Sequence, residues 1–249
     1  MTKADVCRGR ASKVLIMALF IFWCPAVYAQ FNDSTYYHAI LASTGSINKT
    51  NNDRAYLLNN SFGFGVKKKS IVLNSSSTWI YGKQNRELTN NDFSSSLNFD
   101  LYKTFPHFYY WGLVNYNTSY SLGINNQFLA GAGIAYKIID KKDLYLNLSD
   151  GILYDKSNLL ADLIYHTYRN SLRLQFHLQL KDLLTFDESS FLQSSLSNGD
   201  DYIIRSTTTL GIKLRKWISL TTSLNYNKMN ITRSDNLNFT YGLTLDKYF

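Results

Sequence analysis

The sequence predicts an all-β chain: a single closed antiparallel transmembrane β-barrel of about twelve strands. Three observations carry that prediction. Apolar and polar residues alternate with period two through most of the chain, as in SLRLQFHLQLK (171 to 181), where Leu172, Leu174, Phe176, Leu178 and Leu180 oppose Arg173, Gln175, His177, Gln179 and Lys181. The alternating segments run well past the five or six residues usual in globular strands and reach the nine to eleven a tilted membrane strand needs. The connections also alternate in character, one set short and often basic, the other longer and rich in Asn, Asp and Ser, as in outer-membrane barrels.

The first element is a predicted secretory signal peptide over residues 1–29. Lys3, Arg8, Arg10 and Lys13 precede the apolar run VLIMALFIFW (14 to 23), and Val27-Tyr28-Ala29 fits a small-x-small cleavage site. The run is shorter than the roughly 20 residues of a spanning helix. Trp23 before Cys24 argues against lipidation at that cysteine. Cys7 and Cys24 both lie in this segment, so the barrel segment, 30–249, has no disulfide available and must depend on backbone pairing and packing.

Twelve strands are expected near 36–48, 54–66, 70–83, 92–104, 108–120, 126–138, 143–154, 164–180, 182–195, 201–214, 216–228 and 235–249. The fourth sets Phe93, Leu97, Phe99 and Leu101 against Ser94, Ser96, Asn98 and Asp100. The tenth sets Tyr202, Ile204, Leu210, Ile212 and Leu214 against Arg205, Thr207, Thr209 and Lys213. The longer connections are expected at 48–53, 84–91, 119–126, 154–163, 196–201 and 228–236. The chain holds 19 Tyr and 15 Phe. Tyr109, Tyr110, Trp111, Tyr168, Tyr202, Trp217 and Tyr248 lie near strand ends, where interfacial girdles form.

A soluble β-sandwich also alternates, with one face of each sheet buried. Strand length and the aromatic ends favour the membrane. In lipid only a closed barrel pairs every backbone N–H and C=O of a β structure. The last strand, with Tyr241, Leu243, Leu245 and Phe249 on one face, resembles the insertion signal read by the barrel assembly machinery. Lys247, where an apolar residue is usual, departs from that pattern.

The order of segments resembles the DUF481 family of outer-membrane proteins, which includes the salt-induced outer-membrane protein group. The matching stretches are HAILASTGSINKT (38 to 50), FLAGAGIAYKIIDKKDLYLNLSDGILYD (128 to 155), YRNSLRLQF (168 to 176), LSNGDDYIIRSTTTLGIKLRKWISLTTSLNYN (196 to 227) and the terminal FTYGLTLDKYF. The resemblance implies an outer-membrane barrel and no defined activity. Gly131 and Gly133, within its GAG run, fall on one face, where a missing side chain relieves crowding.

Chemistry is sparse. An outer-membrane phospholipase carries a His-x-Ser pair, and none of His38, His107, His166 or His177 has Ser two residues later. The reading is therefore not an enzyme, with a lipid-modifying activity kept as the lowest alternative. No cofactor is expected, and no metal site: the barrel segment has no Cys and no close His pair. Asp200 and Asp201 could hold a divalent cation, although a solvated turn before a strand is the preferred reading. The chain's charge of +8 is not clustered among stacking aromatics on a helix, so nucleic acid is not an expected partner. The expected partners are outer-membrane lipids, lipopolysaccharide and the assembly machinery, in the outer membrane of a Gram-negative bacterium.

Function should then lie on the inward face. Asn98, Asp100, Arg173, Gln175, His177, Gln179, Arg205, Thr207 and Thr209 are the lumen-facing candidates, able to tune solute passage or to pair and plug the interior. The plug is preferred, because a charge facing a narrow lumen needs a partner. Asp100 with Arg173 or Arg205 is the expected pair.

Overall fold

A computed structural model describes residues 36–50, 53–102, 107–159 and 163–248. The expected signal peptide and Phe249 lie outside the described residues. Twelve strands follow one another: β1 (Tyr37–Lys49), β2 (Arg54–Lys68), β3 (Ile71–Gln84), β4 (Glu87–Leu101), β5 (Phe108–Ser119), β6 (Ile124–Lys141), β7 (Leu144–Leu159), β8 (Ile164–Leu180), β9 (Leu184–Ser195), β10 (Tyr202–Arg215), β11 (Ile218–Met229) and β12 (Ser234–Tyr248). Each pairs antiparallel with its sequence neighbours, and β1 pairs β12, with His38 opposite Tyr248 and Gly45 opposite Tyr241. That last pairing removes both sheet edges, which is the condition for a β structure to span lipid.

The alternation read from the sequence becomes an outside and an inside. On β8, Leu172, Leu174 and Leu180 are exposed on the outer wall, whereas Thr167, Arg169 and Ser171 are buried in the lumen. Outer Leu, Phe and Ile recur around the circumference, among them Leu41, Phe62, Leu97, Val114, Ile134, Leu210 and Leu243. This inversion of the globular rule, apolar out and polar in, suits a wall bathed in hydrocarbon. Polar interruptions include Asp150 on β7, which accepts from Asn170 at 2.7 Å, and Glu188 on β9. Ser190 and Ser206 donate to its Oε1 at 2.6 and 2.9 Å, and Thr208 donates to Oε2, so the carboxylate carries its own hydrogen-bond shell.

An even strand number puts the N-terminal start of β1 and the end of β12 at one end, called here the terminal end; the opposite one is the loop end. Aromatic side chains mark both on the outer wall, Tyr37, Phe108, Tyr110 and Tyr136 near the terminal end, and Tyr56, Tyr81, Tyr154 and Tyr168 near the loop end. Three residues expected in those girdles turn inward instead. Tyr109 is buried and shares its face with Trp111, Asn115 and Asn117, and Tyr248 lines the lumen. Position near a strand end was visible in the sequence, and the parity of a short segment such as FYYWG was not.

The strands also run further into the loop end than expected. The segment 84–91 is not a long loop but a two-residue hairpin turn, Asn85-Arg86, flanked by β3 and β4. Both residues have positive φ, 51° and 74°, the left-handed pair that matches strand twist in a tight hairpin. Asn85 supports it by accepting from the Arg54 amide through Oδ1 at 2.8 Å and donating to Asp53 at 2.7 Å. Similarly β6 starts at Ile124, β7 runs to Leu159 and β12 starts at Ser234. Runs of Asn, Asp and Ser can form strand as well as turn where the inner face is polar, which composition alone does not distinguish.

Gly131 and Gly133 on β6 face inward over β7. A Cβ on either would lie 2.1 Å from a backbone oxygen of that strand, Ile152 O or Asp150 O, and Trp111 packs across Gly133. The crowding expected at these positions is real.

Candidate functional site

The inside of the barrel divides into two halves. In the loop half, β5 to β8 and β10 direct a dense polar network into the lumen. Arg169, with no exposed surface, donates through Nε to Asp155 Oδ2 at 2.6 Å and through Nη2 to Asp201 Oδ2 and the Tyr165 hydroxyl, each at 2.9 Å. Asp155, also fully buried, accepts from Ser157 at 2.6 Å and from Gln127 Nε2 at 3.1 Å. The Gln127 side-chain oxygen in turn accepts from Asn117 at 3.2 Å and Arg205 at 3.1 Å. Charges taken out of water are costly unless paired and hydrogen-bonded, and here two carboxylates bracket one guanidinium while amides and hydroxyls complete the set.

The turn 120–123 between β5 and β6 closes over this network. Asp92 on β4 accepts from the Ser121 amide at 3.0 Å, from its hydroxyl at 2.7 Å and from Ser119 at 2.8 Å. From the far side, Asn236 on β12 donates to Ser121 Oγ at 2.6 Å. Gly123, at φ 68°, lets the chain double back. Leu122 is thereby held inside the mouth against Ile124, Leu159, Ile203 and Met229, a small buried apolar cluster flanked by Tyr165 and Ile231.

The terminal half is open by comparison. A cavity of about 800 Å³ runs from the rim at Lys216 and Trp217 up to Asn59, Thr78 and Asn225. Two constructions of the same kind face it. His38 Nε2 lies 2.7 Å from Asp246 Oδ1 with its ring stacked on Tyr248, and His177 Nδ1 lies 2.6 Å from Asp187 Oδ1 with its ring stacked on Tyr145. Tyr145 also borders a second cavity of about 690 Å³ beside Lys67, Lys69, Lys137 and Asp100. A third, about 230 Å³, lies beneath Leu122 and shares Thr78, Thr207 and Asn225 with the first.

The sequence candidates fall on both sides of this division. Arg205 joins the loop-half network. Gln175 and Asp100 border the second cavity, and His177, Gln179, Thr207 and Thr209 line the first. Thr207 donates to Asn225 at 3.0 Å, Thr209 meets Ser223 at 3.5 Å, and Gln179 donates to Asp182 at 2.7 Å. Asn98 makes only a long bond to Ser96, 3.4 Å. The expected pair of Asp100 with Arg173 or Arg205 is not formed. Arg205 is committed to Gln127, and Arg173 lies over the Phe191 ring at 4.8 Å, acting on Asp100 through its charge without a contact ion pair. Arg169, on the same face of β8 four residues earlier, takes the carboxylates instead.

Asp200 is exposed in its turn, whereas Asp201 is buried on Arg169, so the solvated-turn reading fails for Asp201. Tyr241, Leu243 and Leu245 are exposed on the outer wall of β12. The buried network and the two Asp–His pairs were missed because each joins residues whose meeting depends on strand register. The one signal available was parity: Asp155 shares a face with Ser157, and Arg169 with Arg173.

A model of the family described as "Protein of unknown function, DUF481" matches residues 44–245. The comparison with curated proteins returns no match. Among solved structures, the chain is similar to the NanC porin at 10% identity and TM-score 0.51, over 86% of this chain and 99% of that one. It is similar to an outer membrane channel from Pseudomonas putida F1 at 9% identity and TM-score 0.51, over 91% and 100%. The translocator domain of an autotransporter from Neisseria meningitidis aligns at 13% identity and TM-score 0.48, over 95% and 94%. At these identities the likeness is one of fold, an outer-membrane β-barrel.

Proposed function

Taking as premise that the chain belongs to the DUF481 family, we propose that it is an outer-membrane barrel with a plugged lumen, a structural component of the envelope rather than a diffusion pore. The carrying observation is the loop half: the turn 120–123 tied across the mouth from Asp92 to Asn236, over a fully buried Arg169–Asp155 pair. Ions crossing that layer would have to displace charged groups that already satisfy one another. The even strand number, with the termini at the end that carries mostly the shorter turns, supports placing the terminal end in the periplasm. The segment 1–29 supplies the export signal, and envelope lipids with lipopolysaccharide are the surroundings that the aromatic belts fit.

Planar-bilayer recording of the purified protein tests this. The native chain is expected to give no discrete conductance steps, and regular steps would sink the plug. They would favour a second reading, a narrow channel for small solutes, for which the observation is that two cavities stack along the lumen and share Thr78, Thr207 and Asn225. A lipid-modifying activity is the lowest reading, since His166 lies on the outer wall beside Tyr154 and His177 is bound to Asp187. Lipase and acyltransferase assays with His166→Ala and His177→Ala are expected to be blank for native and variants alike.

A further inference from the structure

The terminal-half cavity has more built into it than a filled lumen requires. Its volume, about 800 Å³, falls in the range of about 300–1,000 Å³ typical of small-molecule sites. Three ammonium groups border it, Lys142 from the β6–β7 turn, Lys213 from β10 and Lys216 from the β10–β11 turn. The carboxylates on the same wall, Asp187 and Asp246, are each engaged by an imidazole at 2.6 and 2.7 Å. The three ammonium groups outnumber these two carboxylates by one, so the formal charge along this wall is a small positive excess, and a concave site with a net sign concentrates the opposite ion. Lys67 and Lys69 border the adjoining cavity, whose other charges are Asp100 and the Lys137–Asp140 pair at 2.7 Å, so the excess there is positive too.

Between the charged rim and mid-lumen the wall changes to hydroxyls and amides, with Thr185, Thr209, Ser219, Ser223 and Asn225 facing the space. Such a surface matches a ligand with many hydroxyls, while Ile40, Ala42 and the Tyr145, Trp217 and Tyr248 rings give its carbon skeleton apolar contact. A metal ion is a poor fit, since no three His, Cys, Asp or Glu side chains come together among the described residues. We propose that this cavity is a binding site for a soluble, hydroxyl-rich organic anion of the phosphate or carboxylate class. The ligand enters from the terminal end, its charge at the lysine rim and its hydroxyls toward Thr209 and Asn225. Entry and exit by the same mouth need no passage through the plug, so this site and the plugged lumen fail by different measurements.

Titration calorimetry of the detergent-solubilised full barrel with glucose 6-phosphate, inorganic phosphate and glucose tests the proposal. Saturable binding is expected for glucose 6-phosphate, weaker binding for phosphate and none for glucose, with affinity falling as salt is raised. The combined variant Lys142→Ala, Lys213→Ala, Lys216→Ala is expected to weaken glucose 6-phosphate binding by about tenfold or more. Lys83→Ala, at the far end where that ammonium lies over the Tyr81 ring, should leave binding unchanged. Heat-modifiable gel migration verifies that each variant is folded. Absence of saturable glucose 6-phosphate binding at millimolar concentration overturns the proposal, and so does undiminished affinity in a folded triple-lysine variant.

Discussion

The two halves of the lumen are built from the same residue types and use them in opposite ways. In the loop half, Arg169 and Asp155 are wholly buried and every arm of the guanidinium is engaged. In the terminal half, His38–Asp246 and His177–Asp187 have similar contact distances, yet Asp246 and Asp187 keep 40% and 47% of their side-chain surface exposed. What separates them is water. A pair shut away from solvent is held by its partners alone, and loss of one partner strands the other. A pair at a wet wall exchanges its partner for solvent at small cost. By that measure the loop half is dry and fixed by its own partners, and the terminal half is wet.

The largest loss is expected at Arg169. Arg169→Ala leaves Asp155 and Asp201 buried without their contact ion-pair partner, and a loss of about 3–5 kcal/mol is expected, read from urea unfolding of the folded barrel in detergent. A cost near zero would mean that water already reaches the network, and the loop half would then be no different from the terminal half. Next is the apolar cap. Met229, 1% exposed in the cluster around Leu122, is expected to cost about 2–5 kcal/mol on truncation to Ala, measured the same way. If the turn 120–123 were only resting on the mouth, the cluster would collapse and the cost would fall well below that range.

Parity, turn chemistry and shear each fix a different part of the barrel. The outer wall was readable because it depends on parity alone: Leu172 to Leu180 on β8 and Leu237 to Leu245 on β12 face out wherever their neighbours sit. Strand number was readable from turns, although the Asn85-Arg86 hairpin shows that polar composition overstates loop length. The lumen was readable only as a list of inward residues. Whether Arg205 meets Asp100 or Gln127 depends on shear around a closed sheet, and a one-residue change in stagger would reassign every contact. Arg169 escaped notice for that reason. Its neighbours in sequence, Tyr168 and Asn170, point out of the barrel, and its carboxylate partners lie 14 and 32 positions away.

A pair equally close but wet should lose far less. Asp187→Asn in the terminal half removes a charge 2.6 Å from His177, nominally as close a contact as Asp155 makes with Arg169. Distance alone would predict similar losses. Exposure predicts otherwise: nearly half the Asp187 side chain is in contact with solvent, the amide can still hydrogen-bond the imidazole, and the Tyr145 ring still supports the His177 ring from the other side. The expected cost is about 0.2–1 kcal/mol, and where the imidazole is protonated the pair is screened by salt as the buried Arg169 is not. Urea unfolding at low and high salt, with Arg169→Ala beside it, measures both quantities. A large, salt-independent cost at Asp187 would mean that the terminal cavity is as dry as the plug, and a lysine-rimmed site for a soluble anion could not be open to the periplasm.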